Sequence, residues 1–322
     1  TGTISTAVTR EAIARGHEVT LLNRGSTTKR PIPDGARVLQ ADVKDAESVR
    51  AALGDETFDA VVDWVVFTPN QVDRDVALFE GITRQYVFIS SASAYQTPPR
   101  SLPVRESTPL HNPFWEYSRN KIACEEKLLD LYRERGFPAT IVRPSHTYDE
   151  TSLPIDGGWT SIARMRRGAP VVVHGDGTSL WTLTHARDFA VGFVGLLGRE
   201  AAIGEAFHIT NEFPLTWNAI VGLLARAAGV DDPDIVHVPS DAIAAVDEGW
   251  GASLLGDKAH SMVFDNSKLR SLVPQFVPVV PFDVGAREMI AWFDADPTRQ
   301  QVDGKMDALM DKLVEAYRPR PL

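Results

Sequence analysis

The sequence predicts an α/β fold: a doubly wound parallel sheet followed by a smaller mixed C-terminal region. Three observations predict it. Over the first 145 residues, apolar runs of strand length alternate with helical stretches. Those runs are apolar on both faces, as strands buried between two helical layers must be. Beyond about residue 150 the alternation loosens, and Pro and Gly thicken in Leu153–Gly158 and again in Val273–Pro281.

The elements follow in order. A helical pattern over Ala7–Arg15 stops at Gly16. It runs on from Thr1-Gly2-Thr3, so the helix starts near residue 3 and reads as the second half of a strand–loop–helix unit. A first strand missing from the chain is therefore expected. Strands are expected at Glu18–Leu22, Arg37–Gln40, Ala60–Val66, Tyr86–Ile89 and Thr140–Val142, with helices at Ala46–Leu53, Val72–Gly81 and Phe114–Gly136. The second region carries helical patterns at Trp159–Arg167, Ala186–Leu197, Leu215–Ala228, Phe282–Asp294 and Lys305–Tyr317. Short strands fit Val171–Val173, Leu180–Thr184 and Ala206–Ile209, and some of these segments are expected to return to the main sheet. The division falls near 150, giving regions 1–150 and 151–322.

Composition narrows the function. Of 322 residues, 43% are hydrophobic and 24% charged, which excludes a disordered or collagen-like chain. No apolar run approaches the roughly 18 residues that span a bilayer; the longest candidate is Phe189–Leu197. A lone cysteine, Cys124, cannot form an internal disulfide and fits a reducing compartment. No secretory signal is read at the start, and the expected location is the cytoplasm. The net charge is −10, and the longest basic stretch is Arg164-Met165-Arg166-Arg167, a poor basis for phosphate neutralisation and so for nucleic-acid binding.

The strongest chemical feature is Tyr117-Ser-Arg-Asn-Lys121. Four residues apart on a helix, both side chains lie on one face. An ammonium there favours the phenolate, so the tyrosine can act as an acid or base. Chance matches in this composition number about 0.15, and only Tyr117 has a lysine at that offset. The competing reading is a solvated helix pair. Tyr86–Tyr95 is an apolar strand ending in Ser90, Ser91 and Ser93, at the carboxyl end where open α/β sheets bind ligands. Ser91 can donate a hydrogen bond to a carbonyl or alkoxide oxygen; the alternative is serines that merely end a strand.

The glycine turn at Thr1-Gly2-Thr3 leads into a helix N-terminus, where free N–H groups suit a pyrophosphate. After the next strand come Asn23 and Arg24. An acid there suits the ribose hydroxyls of NAD, whereas an arginine suits a 2′-phosphate, so NADP is favoured over NAD. Asp42 and Val43 end the following strand, where an adenine edge can lie. The eight histidines show no i, i+4 pair, and no metal is expected. His146 and His185 fall on segments expected to line a substrate cleft. Ser93 and Trp181 are further tentative substrate contacts, with a core role the alternative for Trp181, Trp159 and Trp64. Cys124, on the helix of Tyr117, reads as buried packing.

Taken in order, the glycine turn, Asn-Arg, Asp-Val, Ser-Ser-Ala-Ser-Ala-Tyr, Tyr-x-x-x-Lys and Val142-Arg-Pro-Ser-His-Thr-Tyr148 resemble the extended and atypical short-chain dehydrogenase/reductases, the NAD-dependent epimerase/dehydratase group. The resemblance is specific over 1–148 and looser beyond, through His174–Thr178 and Thr184–Ala190. It implies an NAD(P)-binding Rossmann domain over 1–150 and a mainly substrate-binding region over 151–322. It implies Tyr117 as general acid/base, Lys121 holding the nicotinamide ribose and tuning Tyr117, and Ser91 as hydroxyl partner. Pro144 and Ser145 would line the nicotinamide, and Gly2, Thr3 and Ile4 the pyrophosphate. It further implies hydride transfer at a hydroxyl or ketone carbon of a carbohydrate-type small molecule (a sugar, nucleotide sugar or polyol), and a homodimer through the helices at 72–81 and 114–136.

The departures refine this. Ser5 stands where the group carries a third glycine. The asparagine that the group carries upstream of the serine strand is not evident in Val72–Glu80. Ala92-Ser93 follow Ser91 where sugar 4,6-dehydratases carry Asp-Glu, so elimination of water is disfavoured. Trp181-Thr182 stand where nucleotide-sugar enzymes often carry Arg-Asp, which weakens the case for a nucleoside-diphosphate sugar. Epimerase and reductase both remain open, Arg24 leaning toward the reductase. The alternatives are an NADPH-dependent ketone reductase of a non-sugar metabolite, or a non-catalytic NADP- or RNA-binding member like the chloroplast stem-loop RNA-binding proteins.

Overall fold

The computed structural model describes residues 2–25 and 30–318, so Thr1 of the glycine turn lies outside them. The first part runs α1 (Thr3–Ala14), β1 (Thr20–Asn23), β2 (Arg37–Gln40), α2 (Ala46–Leu53), β3 (Val61–Asp63), α3 (Pro69–Phe79), β4 (Tyr86–Ile89), α4 (Glu116–Arg135), β5 (Ala139–Pro144) and β6 (His146–Tyr148). The second runs α5 (Trp159–Arg166), β7 (Val171–His174), β8 (Leu180–Trp181), β9 (Leu183–His185), α6 (Ala186–Val194), β10 (Ala206–Ile209), β11 (Leu215–Thr216), α7 (Trp217–Ala227) and β12 (Ile235–Val238). It ends with α8 (Ser240–Ala244), α9 (Glu248–Ser253), a π-helical turn at Leu254–Lys258, α10 (Ser267–Leu272), α11 (Phe282–Asp294) and α12 (Gly304–Tyr317).

The main sheet is parallel in the order β10-β5-β4-β3, and β1 pairs with β2 in parallel as a separate two-stranded sheet. Strand β10 returns to this sheet from beyond residue 200, setting Phe207 opposite Val142. The sheet is apolar on both faces because its strands alternate between two cores. Val87 and Ile89 of β4 face Val8, Phe189 and Phe193 of α1 and α6. Tyr86 and Phe88 face Val72, Val76, Cys124 and Leu128 of α3 and α4. Cys124 is fully buried there.

Local chemistry sets the element ends. Asp45 caps α2 by accepting from Glu47 N at 3.1 Å and Ser48 N at 3.2 Å. Pro69 sits at the first turn of α3, so that helix begins three residues before the expected Val72. Gly136 closes α4 in the left-handed conformation, φ 73°. Strand β3 is shorter than Ala60–Val66 because Asp63 Oδ1 accepts from Val65 N at 2.6 Å and turns the chain. The expected single strand over Leu180–Thr184 is two strands. Leu180–Trp181 pairs with β11 and Leu183–His185 with β6, while Thr182 between them donates to Met262 O.

The C-terminal elements pack a third core over the sheet ends, with Tyr95, Tyr148, Trp159, Trp181, Trp217, Phe264 and Phe282 among its members. No helix among the described residues is long and apolar enough to cross a membrane.

Candidate active site

A cleft of about 320 Å³ opens at the carboxyl ends of β4 and β5. Ser91, Ser93, Trp115, Tyr117, Pro144, Ser145, His146 and Trp181 line it, with Asp257 and Lys258 on the opposite wall. Strand β4 delivers the serines. Ser91 Oγ lies 2.9 Å from Ser93 Oγ, which accepts from Ser118 Oγ at 2.7 Å. Asn112 holds this turn from outside: its Nδ2 donates to Ser93 O at 2.8 Å and Gly256 O at 2.6 Å.

Tyr117 and Lys121 rise on successive turns of α4. Burial pushes the Tyr117 phenol up, a Ser91 hydrogen bond pulls it down, and the Asp257 charge pushes it up again. Lys121 is almost fully buried. Its Nζ donates to Val66 O at 2.5 Å and Ile89 O at 2.7 Å, binding α4 to the loop after β3 and to the end of β4. The same ammonium stands 4.6 Å from the Phe67 ring centroid and 5.7 Å from that of Tyr117. Burial lowers its pKa to about 8, so the group is cationic at neutral pH but near its titration.

Trp181 Nε1 donates to His146 Nδ1 at 3.2 Å, which leaves the ring proton on Nε2. Burial, then the Lys258 charge, pushes His146 down to about 3. It is therefore a neutral donor across the working pH range. The C2-proton NMR signal of His146 is expected to stay flat between pH 5 and 8; titration near 6.5 rules that environment out. The sign for stability follows. The unfolded chain takes up a proton near pH 6.5 that folded His146 refuses, so this residue's contribution is lost as pH falls from about 6.5 toward 3.

The structure brings Ser91, Ser93, Tyr117, Pro144, Ser145, His146 and Trp181 together and sends His185 elsewhere. His185 Nδ1 accepts from Arg187 N at 3.1 Å, capping α6, and its Nε2 faces Glu288 Oε2 at 3.2 Å. It lines a separate cavity of about 340 Å³ with Thr3, Arg30, Asp149 and Glu288. The strand β9 that carries it runs past the cleft to α11.

The residues for a dinucleotide stand at the sheet edge. Gly2 N donates to Ser5 Oγ at 2.6 Å, so Ser5 folds back and takes the cap role. The first-turn N–H groups of Thr3 and Ile4 have no acceptor inside the helix and suit a diphosphate. At the end of β1, Asn23 Oδ1 accepts from Gly25 N at 2.9 Å, a turn that needs the positive φ of Gly25, 72°. Arg24 is largely exposed, and its Nη1 lies 3.9 Å from Asp42 Oδ2, too long to hold it fast. Asp42 Oδ1 accepts from Lys44 N at 3.0 Å, and Val43 follows beside it. These residues could hold a nicotinamide dinucleotide: the first turn of α1 offers N–H groups to a diphosphate, and Arg24 offers a cation to a ribose phosphate.

Four residues of the site were not read from the sequence. Asp257 and Lys258 come from short helical pieces with no apolar period. Glu125 and Arg143, buried beneath the cleft, did leave a signal. Arg143 is a charge inside the apolar run Thr140–Val142-Arg143, and Glu125 shares the α4 face of Tyr117 and Lys121.

Comparison with known proteins bears on the family and the fold. The chain is 28% identical over 282 residues to 2′-dehydrokanamycin reductase of Streptomyces kanamyceticus, covering 85% of this chain and 77% of that protein. It is 28% identical over 244 residues to chloroplast stem-loop binding protein of 41 kDa b of Arabidopsis thaliana, covering 71% of this chain and 62% of that one. In fold it is similar to an epimerase of Methanothermobacter thermautotrophicus, with TM-score 0.74 and 16% identity over 93% of this chain and 91% of that chain. Residues 1–210 match the NAD dependent epimerase/dehydratase family, and the chain belongs to that family as an enzyme of the extended short-chain dehydrogenase type.

Proposed function

We propose that the protein moves a hydride to or from a hydroxyl or ketone carbon of a carbohydrate-type substrate, with NADP(H) favoured over NAD(H). The observation that carries this reading is Tyr117 and Ser91 lining one cleft, with the buried Lys121 one turn along α4 fastened to the end of β4. The nicotinamide cofactor, when bound, supplies or accepts the hydride. Tyr117 Oη gives or takes the proton of the substrate oxygen, and Ser91 Oγ donates to that oxygen as its charge develops. Neutral His146 adds a donor without adding charge. Ser145 Oγ, tied to Thr184 Oγ1 at 2.9 Å and Thr182 O at 3.2 Å, fixes the wall after Pro144. Lys121 holds the ribose beside Tyr117.

The named relatives include a 2′-dehydrokanamycin reductase, a UDP-glucose 4-epimerase and a dTDP-4-keto-6-deoxy-D-glucose reductase, and these support a sugar-type substrate. The stem-loop binding relative is behind a second reading, an RNA-binding member. The net charge of −10 and the assembled Ser91–Tyr117 pair favour the enzyme. The same reading carries a homodimer through α3 and α4.

The test is fluorescence titration with NADPH and NADH. The wild type is expected to bind NADPH more tightly by about tenfold, the scale of one charge-assisted phosphate contact. Arg24→Ser is expected to erase that preference while leaving NADH affinity unchanged. Equal affinity for both cofactors in the wild type removes the 2′-phosphate role from Arg24.

A further inference from the structure

The wall of the cleft opposite Tyr117 carries a carboxylate with nothing to bind. Asp257 accepts no hydrogen bond and forms no ion pair among the described residues, although it faces Tyr117 and lines the same cavity. Its backbone is pinned on both sides. Lys258 O accepts from His174 Nε2, Ser179 Oγ and Trp217 Nε1, each at 3.2 Å. Gly256 O accepts from Asn112 Nδ2 at 2.6 Å. Gly256 is pressed so close to the loop before α4 that a Cβ there would lie 2.7 Å from Trp115 Cβ. The π-helical turn at Leu254–Lys258 is thus fastened by backbone carbonyls and a close glycine contact, and Asp257 between them is left aimed at the cleft. π-Turns of this kind recur at functional sites.

Asp257 is half-buried with no protein donor, and burial pushes it up to about 6. At neutral pH it remains mostly ionised, with several lone pairs free. The adjacent Lys258 offsets the charge, so the local field does not call for a cation. Trp115 and Trp181 line the same cleft and supply apolar surface suited to the C–H face of a saturated ring.

We propose that Asp257 is a substrate-binding residue. It accepts hydrogen bonds from hydroxyl groups beside the oxygen that Tyr117 engages, and so selects a neutral polyhydroxylated ring. This assignment rests on the Tyr117 cleft being the substrate site. Binding to the full chain, with and without NADP⁺, is measured by ligand-observed NMR with trans-1,2-cyclohexanediol and cyclohexanol. The diol is expected to bind about tenfold more tightly, the scale of one added hydrogen bond to a charged acceptor. In Asp257→Leu the ratio is expected to fall to about one with cyclohexanol affinity retained. Asp257→Asn is expected to keep part of the preference. In Tyr117→Phe the diol preference is expected to survive, so failure of the acid/base reading would leave this one standing. No diol preference in the wild type, or an unchanged preference in Asp257→Leu, overturns the assignment.

Discussion

Tyr117→Phe is expected to lower kcat by about 10²–10⁴-fold while cofactor affinity stays within about twofold. The substitution removes one oxygen and leaves the ring. The ring packs 4.9 Å from that of Trp115 and 6.3 Å from that of Phe67, centroid to centroid, and those contacts persist. Lys121 is held by Val66 O and Ile89 O rather than by the phenol, so its position does not depend on the lost oxygen. What disappears is the proton donor to the substrate oxygen. Asp257 opposes ionisation, whereas Lys121, with its pKa near 8, loses its cation as pH rises. Activity that needs the Lys121 cation is therefore expected to fall on the alkaline side above about pH 8. Steady-state turnover of a keto sugar with NADPH and a parallel fluorescence titration separate the two effects. Full turnover by Tyr117→Phe takes the acid/base role away from this residue.

The sheet and the Tyr117 face of the site were legible because both are written in short-range patterns. Tyr86–Ile89 was readable to the residue, since a buried parallel strand is a short apolar run between turn signals; Arg37–Gln40 was also readable, although that strand is mostly exposed. Tyr117 and Lys121 fell on one face because α4 is one unbroken 20-residue helix. The opposite wall was not legible. Asp257 reaches the cleft through Asn112, Gly256 and three donors on Lys258 O, all distant in sequence, and α8 and α9 are too short to show a period. His185 was misplaced for a related reason. An unbroken strand over 180–184 would have carried it along the cleft, but the break at Thr182 hands β9 to a different partner strand.

Breaking the ion pair under the cleft is expected to cost about 3–5 kcal/mol of stability. Glu125 is fully buried, and Arg143 meets it through Nε at 2.9 Å and Nη2 at 2.5 Å, a two-pronged contact. Ser90 Oγ donates to the same carboxylate, and the Arg143 guanidinium lies 4.8 Å from the Tyr95 ring centroid. Tyr95 Oη in turn meets His208 Nδ1 at 3.0 Å, and His208 Nε2 donates to Asp265 O at 2.9 Å. Three active-site segments converge here, since Ser90 precedes Ser91, Glu125 follows Lys121 by one turn, and Arg143 precedes Pro144. Glu125→Leu strands a buried guanidinium and Arg143→Met strands a buried carboxylate, so each single change is strongly destabilising in urea unfolding. The double variant Glu125→Leu/Arg143→Met strands neither member of the pair and is expected to recover most of the loss. Its kcat is expected to stay depressed, because Ser90 has lost the acceptor that fixes the Ser91 turn, and a misplaced donor weakens the attack geometry. Recovery of both stability and kcat in the double variant would reduce the pair to packing. A single variant costing under about 1 kcal/mol would mean that the two charges reach water.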